Sequence, residues 1–389
     1  MTQESLILAN DFQRQWADVG GDVLGAVERV GRSGWYVLGE EVKRFEEELA
    51  GFWGTQHATG VANGMDAIEI GLRTLGCGPG DRVLTTPLSA FATTLAIVKL
   101  RAVPVFIDTD EHGLIDLVRC YDLLRERRDI HYMVPVHLYG HALDRGGLEW
   151  LRDEFGVKMV EDCAQSAGAR WQGTQTGSVG QIAATSFYPT KNLGALGDGG
   201  AILTNDPALA EQARVLRSYG ETTRYRHEQI GYNSRLDEVQ AAILRDACLP
   251  RMTKWVARRR AIADAYTSSI RNREVGLPGV PEGTASSWHL FPLHVAPARR
   301  AELMEHLKAR GIATGIHYPT AIPDQPAMSK IAFEMADPCA LARQICASEI
   351  SLPIHPYLTD DEVSVVIDAV NAFARQTAVA HTATAQTAA

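Results

Sequence analysis

The sequence has no long apolar run, no paired cysteine motif and no excess of positive charge. No apolar segment approaches the ~18–20 residues needed to cross a bilayer, and the opening MTQESLILANDFQRQW lacks the basic and long apolar regions of a signal peptide. Six cysteines are scattered without a C-x-x-C pair. With 38 Lys and Arg against 47 Asp and Glu, the net charge is −9, which argues against a nucleic-acid binder or a basic membrane-surface protein. We therefore expect a cytoplasmic protein with reduced thiols and with neither a nucleic acid nor a membrane as partner.

Several common ligand-binding motifs are also missing. The P-loop spacing G-x-x-x-x-G-K-[ST] does not occur. The segment GCGPGD follows a helical pattern and precedes a strand pattern, which is the reverse of a dinucleotide-binding fingerprint, so we interpret it as a turn. His137 and His141 are four residues apart, but Tyr139 and Gly140 interrupt the helix that an H-E-x-x-H zinc site requires. No metal site is predicted.

Strand and helix patterns alternate through most of the chain. Short apolar runs such as RVLTTP, PVFIDTD and VKMVEDC are separated by segments with apolar residues at helical spacing. This alternation indicates βαβ units and a mainly parallel sheet, and 46% apolar residues suffice for a sizeable core. Ligands of such sheets bind beyond the C-terminal ends of the strands, so the loops that follow strands are the places to look for chemistry.

The pattern changes near Pro250. A long charged helical segment, MTKWVARRRAIADAYTSSI, is followed by a strand, helix and strand pattern and by a final helix at DDEVSVVIDAVNAF. We predict a large domain over residues 1–250 that includes an N-terminal helical segment, a smaller α/β domain over residues 251–375, and a disordered low-complexity tail over residues 376–389.

The segment SFYPTKNLGALGDGGAI is the most informative. Its apolar strand is predicted to end in Pro189-Thr190-Lys191, and a glycine-rich turn follows. A lysine held there against backbone, partly out of water, has a lowered pKa and can act as a nucleophile toward a carbonyl group. The alternative is a solvated lysine in a surface loop.

A second segment, VKMVEDCAQSAGA, places Asp162 at the end of an apolar strand. A carboxylate there can pair with the protonated nitrogen of a heterocycle, such as a pyridoxal ring. Read alone, Asp162 is also a good helix N-cap. Because Asp162 and Lys191 both follow strands, we favour a shared site.

Other segments add weaker signals. Asn63-Gly64 leads into a helix, so the N–H groups of Gly64 and Met65 could receive a phosphate. Phe91 begins a helix after a strand and could lie on an aromatic cofactor or pack in the core. Arg224 belongs to a basic stretch that faces either an anionic substrate or solvent.

Together these segments resemble the DegT/DnrJ/EryC1/StrS family of pyridoxal-phosphate-dependent sugar aminotransferases. The resemblance runs from GWYVLGEEVKRFEEELAGFWG to SLPIHPYLTDDEV and includes VANGMDA, PVHLYGH, EDCAQSAGA, SFYPTKNLGALGDGGAI, GYNSRLDEVQAAIL and GIHYP in order. It implies an aspartate-aminotransferase-like α/β fold (fold type I), with a large mainly parallel mixed sheet flanked by helices and a smaller C-terminal α/β domain. It also implies pyridoxal 5′-phosphate as cofactor, in its amine form during the half-reaction.

The resemblance implies a role for each matching residue. Lys191 would form the Schiff base with the cofactor and move the proton, and Asp162 would face the pyridine nitrogen. Gln165 would lie beside the ring, Phe91 would stack on it, and Gly64, Met65 and Ser186 would hold the phosphate. Asn233 would reach the phosphate in the neighbouring subunit, which implies a homodimer with shared active sites. The sugar would lie near Tyr188, Arg224, His317 and Tyr318.

The segment SFYPTKNLGALGDGGA resembles the matching segment of family members that place the amine at C-3 of a nucleotide-linked keto sugar. The implied reaction moves an amino group from an amino acid, glutamate being the expected donor, to a dTDP-3-keto-deoxyhexose in unusual-sugar biosynthesis. Two departures occur: Ala167 stands where many C-3 enzymes have His, and Met65 replaces a Ser or Thr. The alternatives are a keto-cyclitol (inosose) aminotransferase of the same fold and a regulator that binds the cofactor without turnover.

Overall fold

The computed structural model describes residues 6–374, so the predicted tail over residues 376–389 lies outside the described residues. The helices are α1 (Phe12–Ser33), α2 (Glu40–Trp53), α3 (Gly64–Thr74), α4 (Phe91–Lys99), α5 (Leu117–Glu126), α6 (Arg145–Phe155), α7 (Pro207–Arg217), α8 (Glu238–Ile243), α9 (Met252–Ser269), α10 (Arg300–Lys308), α11 (Ala340–Ser348) and α12 (Asp360–Asn371). Among the described residues, none of these helices combines the length and the apolar character that crossing a bilayer requires.

The longer strands are β1 (His57–Val61), β2 (Arg82–Thr85), β3 (Val103–Phe106), β4 (Ile130–Val134), β5 (Lys158–Asp162), β8 (Ile182–Ser186), β9 (Gly200–Thr204), β14 (Phe291–Val295) and β16 (Glu349–Leu352). The short strands are β6 (Arg170–Trp171), β7 (Thr174–Gln175), β10 (Glu221–Thr223), β11 (Arg226–His227), β12 (Val275–Gly276), β13 (Thr284–Ala285) and β15 (Glu334–Met335).

The main sheet is mixed and mostly parallel, as the sequence predicts. Its eight strands run in the order β1-β9-β8-β5-β4-β2-β3-β15. Strand β9 is antiparallel to both β1 and β8, and the remaining neighbours are parallel. Strands β5 and β8 are adjacent, with Val160 paired with Ile182 and Asp162 with Ala184. Their C-terminal ends therefore meet at one edge of the sheet, which is where parallel sheets bind ligands.

Local sequence explains where two important helices begin. Asn63 precedes α3 and its side chain accepts a hydrogen bond from the N–H of Asp66, 2.8 Å away. Thr359 precedes α12 and forms a capping box with Glu362, so α12 begins at Asp360, as predicted.

Helices cover the main sheet and separate its apolar side chains into distinct clusters. Helix α3 packs on β8 and β9, burying Ile68, Ile70 and Leu72 beside Val160 and Ile182. Helices α1, α2 and α8 pack together over another part of the sheet, around Phe45, Leu49 and Phe187. The central strands are buried by these layers, as expected for parallel strands.

Residues after 250 form a second sheet but also extend the first. Strands β12, β14 and β16 form a three-stranded antiparallel sheet whose core includes Tyr266 of α9, Phe291 and Val366 of α12. Strand β15, in contrast, pairs in parallel with β3 of the main sheet. The division of the chain into domains at residue 250 stays a prediction.

One predicted boundary is wrong. Strand β8 ends at Ser186, where it pairs with Gly200, and does not continue to Lys191. The chain turns back after Phe187, whose carbonyl accepts the N–H of Ala195 at 2.8 Å. An alanine Cβ at Gly194 would lie only 2.4 Å from the carbonyl oxygen of Pro189, so this tight turn requires glycine. Lys191 therefore lies in a loop between β8 and β9.

Candidate active site

Lys191 lies near the shared edge of β5 and β8 and is largely withdrawn from solvent. Burial lowers the pKa of its ammonium group to about 8, while the charge of Asp162 acts in the opposite direction. Its backbone N–H donates to the carbonyl of Tyr188 at 2.8 Å, which fixes the loop. A lysine with a pKa of about 8 is neutral in roughly one molecule in ten at pH 7, far more often than an ordinary lysine, and a nucleophilic amine must be neutral.

Asp162 is the last residue of β5 and is buried. Its Oδ2 accepts the hydroxyl hydrogen of Thr93 at 2.8 Å, and its Oδ1 accepts the N–H of Ala164 at 3.1 Å. Burial raises the pKa of this carboxyl group, and these hydrogen bonds and the charge of Lys191 oppose the shift. No helix begins after Asp162, because residues 163–169 form turns, so the alternative of a helix N-cap is wrong.

The N-terminus of α3 forms a compact anion seat. Neither Gly64 nor Met65 has a hydrogen-bond partner for its backbone N–H within residues 6–374. An alanine Cβ at Gly64 would lie 2.6 Å from the Cβ of Ser186, so the helix terminus and the end of β8 touch. The Ser186 hydroxyl oxygen accepts the N–H of Tyr188, which leaves its hydrogen free to donate. The geometry fits a phosphate group.

Gln165 and Tyr318 join the site from different parts of the chain. The Gln165 amide nitrogen donates to the Tyr318 hydroxyl at 3.1 Å, and its oxygen accepts the N–H of Tyr139 at 2.8 Å. Burial and the charge of Asp162 raise the pKa of the Tyr318 phenol. Phe91 is the first residue of α4, two residues before Thr93, and is partly buried against an apolar cluster. The flat fit of Phe91 on a ring stays a prediction.

His317 is near Lys191. Burial lowers the pKa of its imidazole to about 4, and the positive charge of Lys191 contributes to this shift. The backbone carbonyl of His317 accepts the Tyr139 hydroxyl at 2.6 Å, and its backbone N–H donates to Oε2 of Glu349 at 2.6 Å. Among the predicted sugar-side residues, His317 and Tyr318 are therefore brought to the same place as Lys191, Asp162 and Gln165.

Three predicted residues lie on the surface of the single chain. Tyr188 is 53% exposed and follows the phosphate seat at Ser186. Asn233 is exposed, and the hydroxyl of the neighbouring Ser234 accepts the N–H of Ala62 at 3.1 Å. Arg224 is exposed between β10 and β11, with its guanidinium 5.0 Å from the ring centre of Tyr225, and the structure brings it into no contact with the residues around Lys191.

Sequence reasoning missed several residues that support the site. Thr93 binds Asp162, and Ser89 lies 2.9 Å from the Thr93 hydroxyl. Glu161, buried beside Asp162, accepts a hydrogen bond from His137 at 2.9 Å and backbone N–H groups of the loop before β8. A charged residue inside the apolar run VKMVED was the one signal that could have pointed to this network, because a buried carboxylate needs partners.

The buried site combines two opposite charges with several strongly shifted pKa values. Lys191 and Asp162 are opposite charges in a desolvated place, and Tyr318, His317 and His289 titrate far from their ordinary ranges beside them. Strongly shifted pKa values that cluster at a sheet edge are typical of catalytic sites. The arrangement offers an amine, a carboxylate and an anion seat near the C-terminal ends of β5 and β8, which are the groups needed to hold a phosphorylated heterocycle with a carbonyl group.

Comparison with known proteins agrees with this chemistry. The model of the DegT/DnrJ/EryC1/StrS aminotransferase family matches residues 18–371. A dTDP-3-amino-3,4,6-trideoxy-alpha-D-glucose transaminase from Streptomyces venezuelae is 42% identical over 94% of this chain and 96% of its own length. The crystal structure of DesV from S. venezuelae, in complex with a ketimine intermediate, has a TM-score of 0.89 and 40% identity, and 94% of this chain and 98% of that chain are covered. NtdA from Bacillus subtilis, with bound cofactor PMP, has a TM-score of 0.86 and 26% identity over 95% of this chain and 85% of that one.

Proposed function

Because the chain belongs to the DegT/DnrJ/EryC1/StrS aminotransferase family, we propose that it transfers an amino group from glutamate to C-3 of a dTDP-linked 3-keto-deoxyhexose. The protein is an aminotransferase with pyridoxal 5′-phosphate as cofactor. The observation that carries the proposal is that the buried charges of Lys191 and Asp162 interact, near the anion seat formed by Gly64 and Ser186. The 42% identical relative is a dTDP-3-amino-3,4,6-trideoxy-alpha-D-glucose transaminase, which supports the choice of acceptor.

The residues around Lys191 fit the cofactor. When bound, pyridoxal 5′-phosphate supplies a carbonyl carbon that binds amines and a ring that withdraws electrons from the substrate carbon. The N–H groups of Gly64 and Met65 and the hydroxyl of Ser186 would hold its phosphate. Gln165 would hydrogen-bond beside the ring, and Phe91 would cover one face.

Lys191 and Asp162 have different roles in the proposed reaction. Lys191, neutral in part because its pKa is about 8, would be the amine that holds the cofactor, and when free it would carry a proton between two carbons of the reacting groups. Asp162 is held in place by Thr93 and Ala164. Its burial makes an unpaired negative charge costly, so a protonated ring nitrogen is the partner that this carboxylate favours.

The active enzyme is proposed to be a homodimer. Asn233 is exposed in the single chain, and it is the residue that would reach the phosphate in the neighbouring subunit. Large apolar side chains are exposed as well, including Trp35 at 62%, Tyr36 at 57% and Ile230 at 83%. Several exposed aromatic and aliphatic side chains favour burial against another subunit.

The test is a panel of acceptors offered to the amine-loaded enzyme. We expect amine transfer to dTDP-linked 3-keto sugars and negligible transfer to UDP-linked 4-keto sugars or to inososes. Preferred transfer to an inosose would replace the acceptor class with keto-cyclitols. Failure of glutamate to convert the bound cofactor to its amine form, measured by absorbance, would favour a regulator without turnover. A Lys191→Ala variant is the control for transfer that does not use this site.

A further inference from the structure

Glu349 and Ser351 both bond to His317, Glu349 to its backbone and Ser351 to its imidazole. Glu349 lies at the start of β16 and is fully buried, and Ser351 follows two residues later on the same face of that strand. One carboxylate oxygen of Glu349 accepts the backbone N–H of His317, and the other accepts the hydroxyl hydrogen of Ser351. The Ser351 oxygen lies 2.8 Å from Nδ1 of His317.

The directions of these hydrogen bonds determine which imidazole nitrogen carries the proton. Burial raises the pKa of the Glu349 carboxyl group to about 7, so this group is ionised at pH 8.5. An ionised carboxylate can only accept hydrogen bonds, so the single hydroxyl hydrogen of Ser351 points to Glu349. Ser351 then offers only a lone pair to His317, and Nδ1 must be the donor. A neutral imidazole has one N–H, which leaves Nε2 as an acceptor.

The environment keeps this imidazole neutral. Burial and the charge of Lys191 lower the pKa of His317 to about 4. Within residues 6–374, Nε2 of His317 has no hydrogen-bond partner, in contrast to Nδ1. The charged and titratable groups around this cluster are Lys191, His289, Tyr318 and Tyr139 near His317, and Arg300 near Glu349. A neutral acceptor nitrogen suits a hydroxyl group and gives no attraction to an anion.

We propose that Glu349 and Ser351 are positioning residues that hold His317 in the tautomer protonated at Nδ1, so that Nε2 accepts a hydrogen bond from a hydroxyl of the sugar acceptor. This proposal rests on the proposed function for the identity of the acceptor. We therefore expect these two residues of β16, which do not contact Lys191, to affect only the half of the reaction that involves the sugar acceptor. The amino-acid donor does not depend on this nitrogen.

The first test reads the tautomer itself and needs no substrate. The holoenzyme is labelled with ¹⁵N-histidine, and the His317 nitrogens are assigned with a His317→Gln variant and measured at pH 8.5. We expect a protonated Nδ1 and an unprotonated Nε2 in the unsubstituted protein. A Ser351→Ala variant should shift the population toward Nε2–H. A protonated Nε2 in the unsubstituted protein would overturn the proposal.

Ser348→Ala is the matched control. Ser348 is also buried, and its hydroxyl lies 3.0 Å from Nδ1 of a different histidine, His294. This variant removes the same serine–histidine contact three residues away without touching His317. Its His317 tautomer should equal that of the unsubstituted protein, so a shift in both variants would mean a general disturbance of β16 and would contradict the proposal.

The second test separates the two halves of the reaction. Loss of one neutral hydrogen bond is expected to raise the KM for the keto sugar about fivefold in Ser351→Ala and Glu349→Gln. The rate at which glutamate converts the bound cofactor should stay within about twofold, because Ser351 and Glu349 bond to His317 and not to Lys191 or Asp162. Equal losses in both halves would contradict the assigned role. Absence of turnover in the unsubstituted enzyme would contradict the proposed function and leave the tautomer measurement valid.

Discussion

Thr93 on α4 donates its hydroxyl hydrogen to Oδ2 of Asp162 at the end of β5, over 2.8 Å. The two residues are 69 positions apart, and the bond ties the helix that begins with Phe91 to the strand that carries the carboxylate. It therefore fixes the distance between the residue predicted to cover the cofactor ring and the residue predicted to face the ring nitrogen. Positions of two groups on rigid elements are better controlled than positions on loops.

Replacing Thr93 with valine keeps the shape and removes this donor. We expect a loss of about 1–2 kcal/mol in the free energy of unfolding of the apoprotein, because the buried carboxylate loses one of its two hydrogen bonds. Cofactor affinity should fall as well. Urea titration measures the first effect and equilibrium dialysis the second.

Thr94→Val is the control for this prediction. Thr94 is equally buried, and its hydroxyl has no hydrogen-bond partner among the residues that the structure describes. Its replacement should leave stability unchanged or slightly raised. If both valine variants lose the same stability, the Thr93–Asp162 bond contributes nothing specific.

Gly64→Ala tests the phosphate seat. The added methyl carbon would lie 2.6 Å from the Cβ of Ser186, so the helix terminus and β8 have to separate. We expect at least a roughly tenfold weaker binding of pyridoxal 5′-phosphate, because anion binding by backbone N–H groups depends on their placement. Gly51→Ala on α2, where an added Cβ meets nothing within 4 Å, should bind the cofactor normally and be slightly stabilised. Unchanged cofactor affinity in Gly64→Ala would place the phosphate elsewhere.

The pKa of Lys191 gives a prediction about pH. The folded pKa is about 8 and the ordinary value is 10.5, so between these pH values the unfolded chain holds a proton that the folded apoprotein has released. Burial of the charged Lys191 should therefore lower the free energy of unfolding of the apoprotein by its full amount below pH 8. This loss should disappear as the pH rises toward 10.5. Lys191→Met removes the titrating group, and the difference in unfolding free energy between the two proteins, followed by urea titration, should shrink across this range. A difference that is constant with pH would contradict the shifted pKa.

Mixed dimers test whether the active sites are shared. Lys191→Ala and Asn233→Ala should each be strongly impaired as pure dimers. If Asn233 acts across the interface, a mixed dimer of the two variants has one site with both native residues. Random mixing after mild dissociation should then restore about a quarter of the unsubstituted activity, since half of the dimers are mixed and each has one intact site. No gain in activity on mixing would place Asn233 in its own subunit's site or outside it.

Part of this site could be predicted from the sequence, because a parallel sheet brings the C-terminal ends of its strands together. Asp162 and Lys191 are both near the ends of apolar strands, and neighbouring parallel strands end at the same edge, so their proximity was predictable. The helix start at Gly64 was predictable for a different reason, because Asn63 is a good N-cap.

The supporting residues were not predictable from local pattern. Thr93 meets Asp162 and Glu349 meets His317 only through tertiary packing, and neither threonine nor glutamate differs in its own neighbourhood from an ordinary helix or strand residue. The sequence predicts an end of β8 that is several residues too late, because Phe187-Tyr188 continues the apolar pattern. The actual turn depends on the close approach of Gly194 to Pro189, which has no local signal. The parallel pairing of β15 with β3 involves two residues and leaves no periodic signal.

The central claim is that Lys191 is the amine that binds the cofactor and moves the proton during amine transfer. The most direct measurement compares the unsubstituted protein with Lys191→Ala, both saturated with pyridoxal 5′-phosphate and then given glutamate and a dTDP-linked 3-keto sugar. We expect the unsubstituted protein to show the visible absorption band of lysine-bound cofactor and to form the amino sugar, and the variant to show neither. Turnover by Lys191→Ala at the unsubstituted rate would contradict the account.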